Sequence, residues 1–404
     1  MTPTTYRATD FLKAAKRAGV EIVVGTNVAQ VLGDLAPAYN LTIPFDDSKT
    51  ALRIVRNFTQ LHPIDTVVGV DDEATVIAAA IANALHIRHN SVGATSATRN
   101  KARMRELCSK AGLPSPSYVL CTGAADLEKV IKKVRFPSVA KPLSLSASRG
   151  VIRANDPSEL KSALSRIEKL LADPEVEQRS QGLGGKRILV EEFIPGEEVA
   201  LEGLLIEGEL HVLALFDKPD PLNGPFFEET LYVTPSRKSK SLQQSIFYSA
   251  QKGAQALGLI DGPIHGEFRI NDKGVWILEI AARTIGGLCS RTLRFGTGMS
   301  LEEVVLRHAA RLELPTLERE KSASGVMMIP IPKAGVLQKV EGIDNAKGVP
   351  YIEEVTISIP IGQPVIPLPE GNKYLGFIFA RADTPQKVEK ALRVAHTELR
   401  FSIR

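Results

Sequence analysis

The segment PIHGEFRINDKGVWILEIAAR, residues 263–283, constrains what this chain can fold into more than any other stretch. Asn271-Asp272-Lys273-Gly274 is turn chemistry, with glycine where a left-handed residue is needed, so two strands pair back on each other. A three-residue loop centred on Lys273 sets Glu267 directly opposite Glu279. Strand alternation then sends Ile264, Phe268, Ile270, Trp276, Leu278 and Ile280 to a core face, and His265, Glu267, Arg269, Glu279, Ala281 and Arg283 to the other. Like charges facing each other across a ladder destabilise it. A divalent cation between the two carboxylates turns that repulsion into binding, and oxygen-only ligands suit Mg2+ shared with phosphates. Taken alone, the polar face is equally well a solvated surface on which Arg269 and Arg283 neutralise the acids. His265, weighed alone, is more often a hydrogen-bonded structural histidine than a catalyst.

Bulk properties bound the class of protein that carries this hairpin. A length of 404 residues suggests two to three domains at roughly 150 residues each. With 50 Lys and Arg against 46 Asp and Glu, there is no basic excess of the kind that neutralises nucleic-acid phosphates. No window reaches the ~18 uninterrupted apolar residues of a membrane helix, and no apolar leader follows Met1. Cys108, Cys121 and Cys289 are odd in number and lack metal-ligand spacing, which fits packed thiols in a cytoplasmic protein. An N-terminal alternation of helices (Tyr6–Gly19, Ala51–Leu61, Glu73–His86) with strands (Glu21–Thr26, Asp65–Val70) predicts a doubly wound parallel sheet. A helix over Thr98–Lys110 follows, then a smaller α/β segment with helices over Ala124–Val134 and Asp156–Leu171. Residues 172–186 have the polar, Gly-rich composition of a mobile loop, and a strand-rich C-terminal module ends in a helix over Thr384–Leu399.

Three further groups bear chemistry. Lys141 sits on the apolar strand FPSVAKP, where a cation is costly unless it meets an anion. The loop Ser144-Leu-Ser-Ala-Ser-Arg-Gly150 offers backbone N–H groups to phosphate oxygens, although judged by itself it reads first as a surface turn. VEEFIPGEE supplies Glu191 and Glu198, either hydrogen-bond acceptors for a base and a sugar or plain solubilising charge at a strand edge.

The order Lys101, Lys141, Ser loop, Glu191, Glu198, Glu267, Glu279, Arg283 resembles the ATP-grasp superfamily, across residues ~95 to 315. The resemblance implies an α/β multi-domain fold: a Rossmann-like domain over 1–96, an ATP-grasp domain over 97–315 with a lid at about 117–190, and a C-terminal module over 316–404. It implies ATP with Mg2+, or Mn2+ in its place, as cofactors. Lys101 and Lys141 would then hold the α- and β-phosphates under Ser144, Ser146, Ser148 and Gly150. Glu191 and the backbone near Phe193 and Ile194 would hold adenine, Glu198 the ribose, and Glu267 and Glu279 the metal. Arg283 would steady the transferring phosphoryl group, with Arg269 and His265 as carboxylate or phosphate contacts. FDKP, GPFFEET, EIAARTIGG and the C-terminal module resemble the L-amino-acid ligase branch, which implies an ADP-forming carboxylate–amine ligase working through an acyl phosphate. Small carboxylate and amine substrates and a homodimer come with that analogy, and neither nucleic acid nor membrane does. The alternatives are a purine-pathway or biotin-carboxylase-type ATP-grasp enzyme, and a non-catalytic nucleotide-binding protein on the same fold. Ala281 stands where many members carry Asn, which puts a second Mg2+ in doubt. The apolar strand that usually opens such a domain is missing, which suggests an N-terminally shortened reading frame.

Overall fold

In the computed structural model, which describes every residue except 3, 4, 6, 30–39, 175 and 178–184, the hairpin is the edge of an eight-stranded sheet. The expected mobile loop over 172–186 lies largely outside the described residues.

The N-terminal part has the expected helices. α1 (Ala8–Ala18) ends where Gly19 turns left-handed at φ 68°, and α2 (Ser48–Thr59) and α3 (Asp72–Ala84) follow. Its parallel ladder is shorter than anticipated: β1 (Val24–Thr26) pairs with β2 (Asn40–Thr42) and with no other described strand. The run Asp65–Val70 joins no ladder among the described residues. Its valines pack against helices instead, Val67 beside Ile77 and Ile81, and Val68 and Val70 beside Phe11 and Val305. Apolar helix contacts satisfy the same sequence signal that a buried strand would.

The single helix expected over Thr98–Lys110 is two helices, α4 (Val92–Arg99) and α5 (Lys101–Lys110). Asn100 breaks them with ψ 100°, and its side chain accepts a hydrogen bond from Arg103 N at 3.0 Å. The cap places Lys101 in the first turn of α5.

β3 (Tyr118–Cys121), β4 (Ser138–Pro142), β5 (Ile152–Ala154) and β6 (Ile188–Glu192) form an antiparallel sheet in the order β3-β6-β4-β5. A short helix, α6 (Leu127–Ile131), replaces the longer one expected over 124–134. α7 (Pro157–Leu171) starts as anticipated, Asp156 accepting from Ser158 N and Glu159 N, and buries Leu160, Leu164 and Ile167 against the sheet.

The large sheet runs β11-β10-β7-β8-β9, built from β7 (Glu197–Ile206), β8 (Glu209–Asp217), β9 (Leu231–Thr234), β10 (Gly262–Asn271) and β11 (Gly274–Ala281). It continues through Ala323–Ile329, Gly376–Ala382 and Ile352–Ile357, so the C-terminal strands extend the same sheet. The helix Lys240–Leu257 covers one face, with Ile246, Ala250 and Ala254 against Leu201, Phe268 and Ile280. No helix among the described residues is long and apolar enough to cross a membrane.

The hairpin turns more tightly than the three-residue loop expected. Asn271 pairs directly with Gly274, and that register runs down to Phe268–Ile277. A β-bulge at Leu278 then shifts it by one, so Glu267 does face Glu279. The bulge also corrects the assignment of faces. Val275, Ile277 and Ile280 enter the core, whereas Trp276 pairs with Arg269 on the other face and Leu278 lines the cavity described next.

Candidate active site

Between the N-terminal part, the β3–β6 sheet and the large sheet lies a cavity of about 340 Å³. That volume is in the range of small-molecule sites. The β7–β10 register explains which charges converge on it. His265 pairs with Glu202, Glu267 with Ala200 and Arg269 with Glu198, so period-two alternation gathers all five charged side chains on one face.

Glu267 stands at the centre. Lys218 Nζ lies 3.4 Å from its carboxylate and His265 Nε2 3.5 Å away. Burial opposes ionisation, but Lys218 and His265 outweigh it and hold Glu267 well below the ordinary carboxylate range. His265 is itself buried and gripped through Nδ1 by Glu202, whose other oxygen accepts from Ile285 N at 3.0 Å. Burial works against its charge, yet Glu202 and Glu267 push the imidazole up to about 9. It lines the cavity held between Glu202 and Glu267, and so orients Glu267. Lys218, only 2% exposed in its side chain, donates to Glu198 at 2.7 Å and also bonds Glu229. Burial and the neighbouring Glu267 and Glu198 push Glu229 up, against the pull of Lys218. Oxygens of Glu198, Glu229 and Glu267 lie within 4.8 Å of one another, and Lys218 among them, with Arg269 on Glu198 and His265 near Glu267, offsets part of their charge.

Glu279 faces Glu267 across the ladder and also lines the cavity. The all-oxygen donor pair, one member held ionised, fits a hard divalent cation such as Mg2+.

Beyond Glu279 stand the cations. Lys101 lines the cavity and donates to Leu145 O at 2.6 Å, its pKa pushed down by burial and by Lys141 and Arg99, against Glu279. On the β4–β6 ladder Val139 faces Glu191, which brings Lys141 onto the same side. Lys141 pairs with Glu191, which also accepts from Arg105 Nε at 3.0 Å. Burial alone would raise the Glu191 carboxyl, but Arg105 and Lys141 hold it below its usual range. Glu191 lines the cavity while paired with these cations. Phe193 and Ile194 do line the cavity, yet Phe193 N already donates to Pro137 O and Ile194 O accepts from Arg269 at 2.9 Å.

Glu198, expected at a ribose, is buried between Lys218 and Arg269 Nε at 3.0 Å. Arg269, expected as a substrate contact, is 3% exposed and also binds the Ile194 and Leu222 carbonyls. It lines the cavity while bridging these groups. In the small-residue loop, Ser146 and Ser148 line the cavity, with Ala147 and Ser148 left-handed at φ 56° and 53°. Ser144 and Gly150 are buried behind it. A Cβ on Gly150, at φ 73°, would come within 2.7 Å of Pro142 Cγ.

Arg283 lines the cavity with Nη2 2.7 Å from Asp72 Oδ2, and Arg99 Nη1 lies 3.2 Å from Asp72 Oδ1. Burial opposes its charge, but Asp72 and Glu279 push the Arg283 pKa up. Asp72 and Lys218 were assigned no role from sequence. The Lys218 signal was present in FDKP, a cation closing an apolar strand, and Arg105 follows Lys101 by one helical turn.

A family model described as an ATP-grasp domain matches residues 134–292, and one described as an ATP-grasp N-terminal domain matches 12–87. The chain belongs to the ATP-grasp superfamily. Residues 327–404 of this ATP-grasp protein match the L-amino acid ligase C-terminal domain 2. A crystal structure of the L-amino acid ligase from Bacillus licheniformis superposes with TM-score 0.84 at 27% identity, covering 98% of this chain and 96% of that one. Alanine–anticapsin ligase of Bacillus subtilis (strain 168) is 25% identical over 55% of this chain and 49% of its own length. For dapdiamide A synthase of Enterobacter agglomerans the figures are 27%, 57% and 53%. The ATP-grasp chain thus spans about half the length of these two curated relatives.

Proposed function

We propose that the chain is an ATP-dependent ligase that joins the carboxylate of one small substrate to the amine of another, releasing ADP and phosphate. One observation carries the reading. Glu267 and Glu279 face each other across the ladder, and with Lys101, Lys141 and the anchored Arg283 they line one cavity. Phosphoryl transfer is mostly positioning and charge neutralisation, and this arrangement supplies both. Lys101, Lys141 and the Ser146–Ser148 stretch would hold phosphates, while Glu267 and Glu279 would hold Mg2+. Bound there, the ion would neutralise phosphate oxygens during transfer.

The substrate carboxylate would attack the γ-phosphorus, breaking its bond to the ADP oxygen and giving an acyl phosphate. The amine would then attack the acyl carbon, forming the C–N bond and expelling phosphate. Arg283 would stabilise charge at both stages. Glu229, with Leu222, Phe227, Tyr232 and Tyr374, lines the same cavity and suits an α-ammonium beside an apolar side chain, so an amino acid is the proposed carboxylate substrate. The ligase-type C-terminal match and the names of the relatives support this reading over a purine-pathway or biotin-carboxylase activity. The buried Arg283–Asp72 anchor supports catalysis over passive nucleotide binding.

Incubation with Mg-ATP and pooled amino acids, followed for ADP, phosphate and peptide, tests the proposal. Peptide formed in step with ADP is expected. No ADP with any carboxylate–amine pair would refute it, and products requiring bicarbonate would favour the carboxylase-type reading.

A further inference from the structure

The small-residue loop over the cavity does not hang free. Arg149 Nε donates to Glu370 O at 2.7 Å, and Gly150 N donates to Pro369 O at 2.8 Å. On α7, which packs against the same four-stranded sheet, Arg166 Nη2 donates to Glu370 Oε2 at 2.8 Å and Nε bonds the other carboxylate oxygen. Residues far apart in sequence, 221 and 204 positions from Glu370, thus converge on one C-terminal residue.

The receiving segment is stiff. Gly371 N donates to Pro367 O at 2.9 Å, and a Cβ on Gly371 would lie 1.8 Å from Ile366 O, so the turn accepts no side chain there. Directly after it come Asn372 and Tyr374, which line the cavity. A single short stretch therefore grips the loop at one end and faces the cavity at the other.

We infer that Glu370 is a positioning residue: through its fork with Arg166, beside the backbone bonds to Arg149 and Gly150, it locks the Ser144–Gly150 loop closed against the C-terminal module. The inference rests on the nucleotide reading of the loop only for its effect on ATP, and the lock itself is independent of that reading. An isolated exposed ion pair contributes little. This one is bidentate and adjoins two backbone hydrogen bonds, so it acts on a loop already partly ordered.

The test uses the full chain. In Glu370→Arg, three arginines meet where a fork stood, and hydrogen exchange of amides over residues 146–153 should speed by about threefold or more without nucleotide. The exchange of charges, Arg166→Glu with Glu370→Arg, should return the rates toward wild type, which general destabilisation would not do. Unchanged exchange in Glu370→Arg, or no recovery in the swapped protein, overturns the inference. Titration with a non-hydrolysable ATP analogue should show weaker binding by about three- to tenfold in Glu370→Arg and recovery in the swap. Equal affinity in all three proteins would overturn the effect on nucleotide. If the wild-type protein binds no analogue at all, the ligase reading falls while the exchange rates still decide the lock.

Discussion

Asp72→Asn tests the electrostatic frame of the site most directly. Asp72 lies between Arg283 at 2.7 Å and Arg99 at 3.2 Å, with all three side chains no more than 12% exposed. Each pair is worth a gross attraction of about 4 kcal/mol at ~4 Å with an effective dielectric near 20, from which desolvation must be subtracted. Removing one partner of a buried pair typically costs about 3–5 kcal/mol, because the remaining charge stays buried. Asparagine keeps an acceptor, so the expected loss is about 3 kcal/mol at pH 7. The pH dependence fixes the cause. Burial would raise the Asp72 carboxyl, but Arg283 and Arg99 hold it below the ordinary range. Its stabilisation is therefore complete above the unfolded value near 3.9 and is lost as pH falls through the folded value. Urea unfolding followed by circular dichroism from pH 3 to 8 should show a constant gap between the two proteins down to about pH 5, narrowing below about 4. A gap under about 1 kcal/mol at pH 7, or one that widens in acid, would refute the reasoning.

Three further outcomes are expected. Ile277→Ala should cost about 2–5 kcal/mol by emptying core volume, whereas Trp276→Ala should cost about 1 kcal/mol, and urea midpoints distinguish a bulged hairpin from an unbulged one. Deleting Leu278 should merge the ladder into one register with Glu279 still opposite Glu267, so Mg2+-dependent binding of an ATP analogue, measured by calorimetry, should survive; its complete loss would mean that the bulge itself shapes the site. Glu279→Ala and Arg283→Ala should each abolish ADP release with the fold intact; near-normal turnover in either would mean the hairpin residues are misassigned.

Much of this was legible in the sequence, and the failures have physical causes. Helix ends marked by Gly19, Asp156 and Pro157 were readable because capping is local chemistry. The facing pair Glu267–Glu279 was readable because a turn fixes its register, although a tighter turn and a bulge cancelled each other in reaching it. Alternation alone puts Trp276 and Leu278 on the core face because a one-residue bulge leaves no trace in alternating apolar residues. The run Asp65–Val70 reads as a strand from sequence because helix-packed and sheet-packed valines have the same pattern. The identities of ion-pair partners were the least readable part. Asp72 meets Arg283 across 211 positions, and Glu191 is enclosed by cations from two different elements. Only the assembled fold shows such neighbours.

The bulge at Leu278 has a consequence beyond register. Glu267 is fixed from its other side by β7, opposite Ala200, and Glu279 lies on the far side of the bulge from the turn. The hairpin tip is thereby insulated from the pair. Drift in length or composition around Asp272 and Lys273 can be absorbed at an already irregular point before it reaches the carboxylates. The spacing of the two acids is thus set by the bulge and by β7 as well as by the turn.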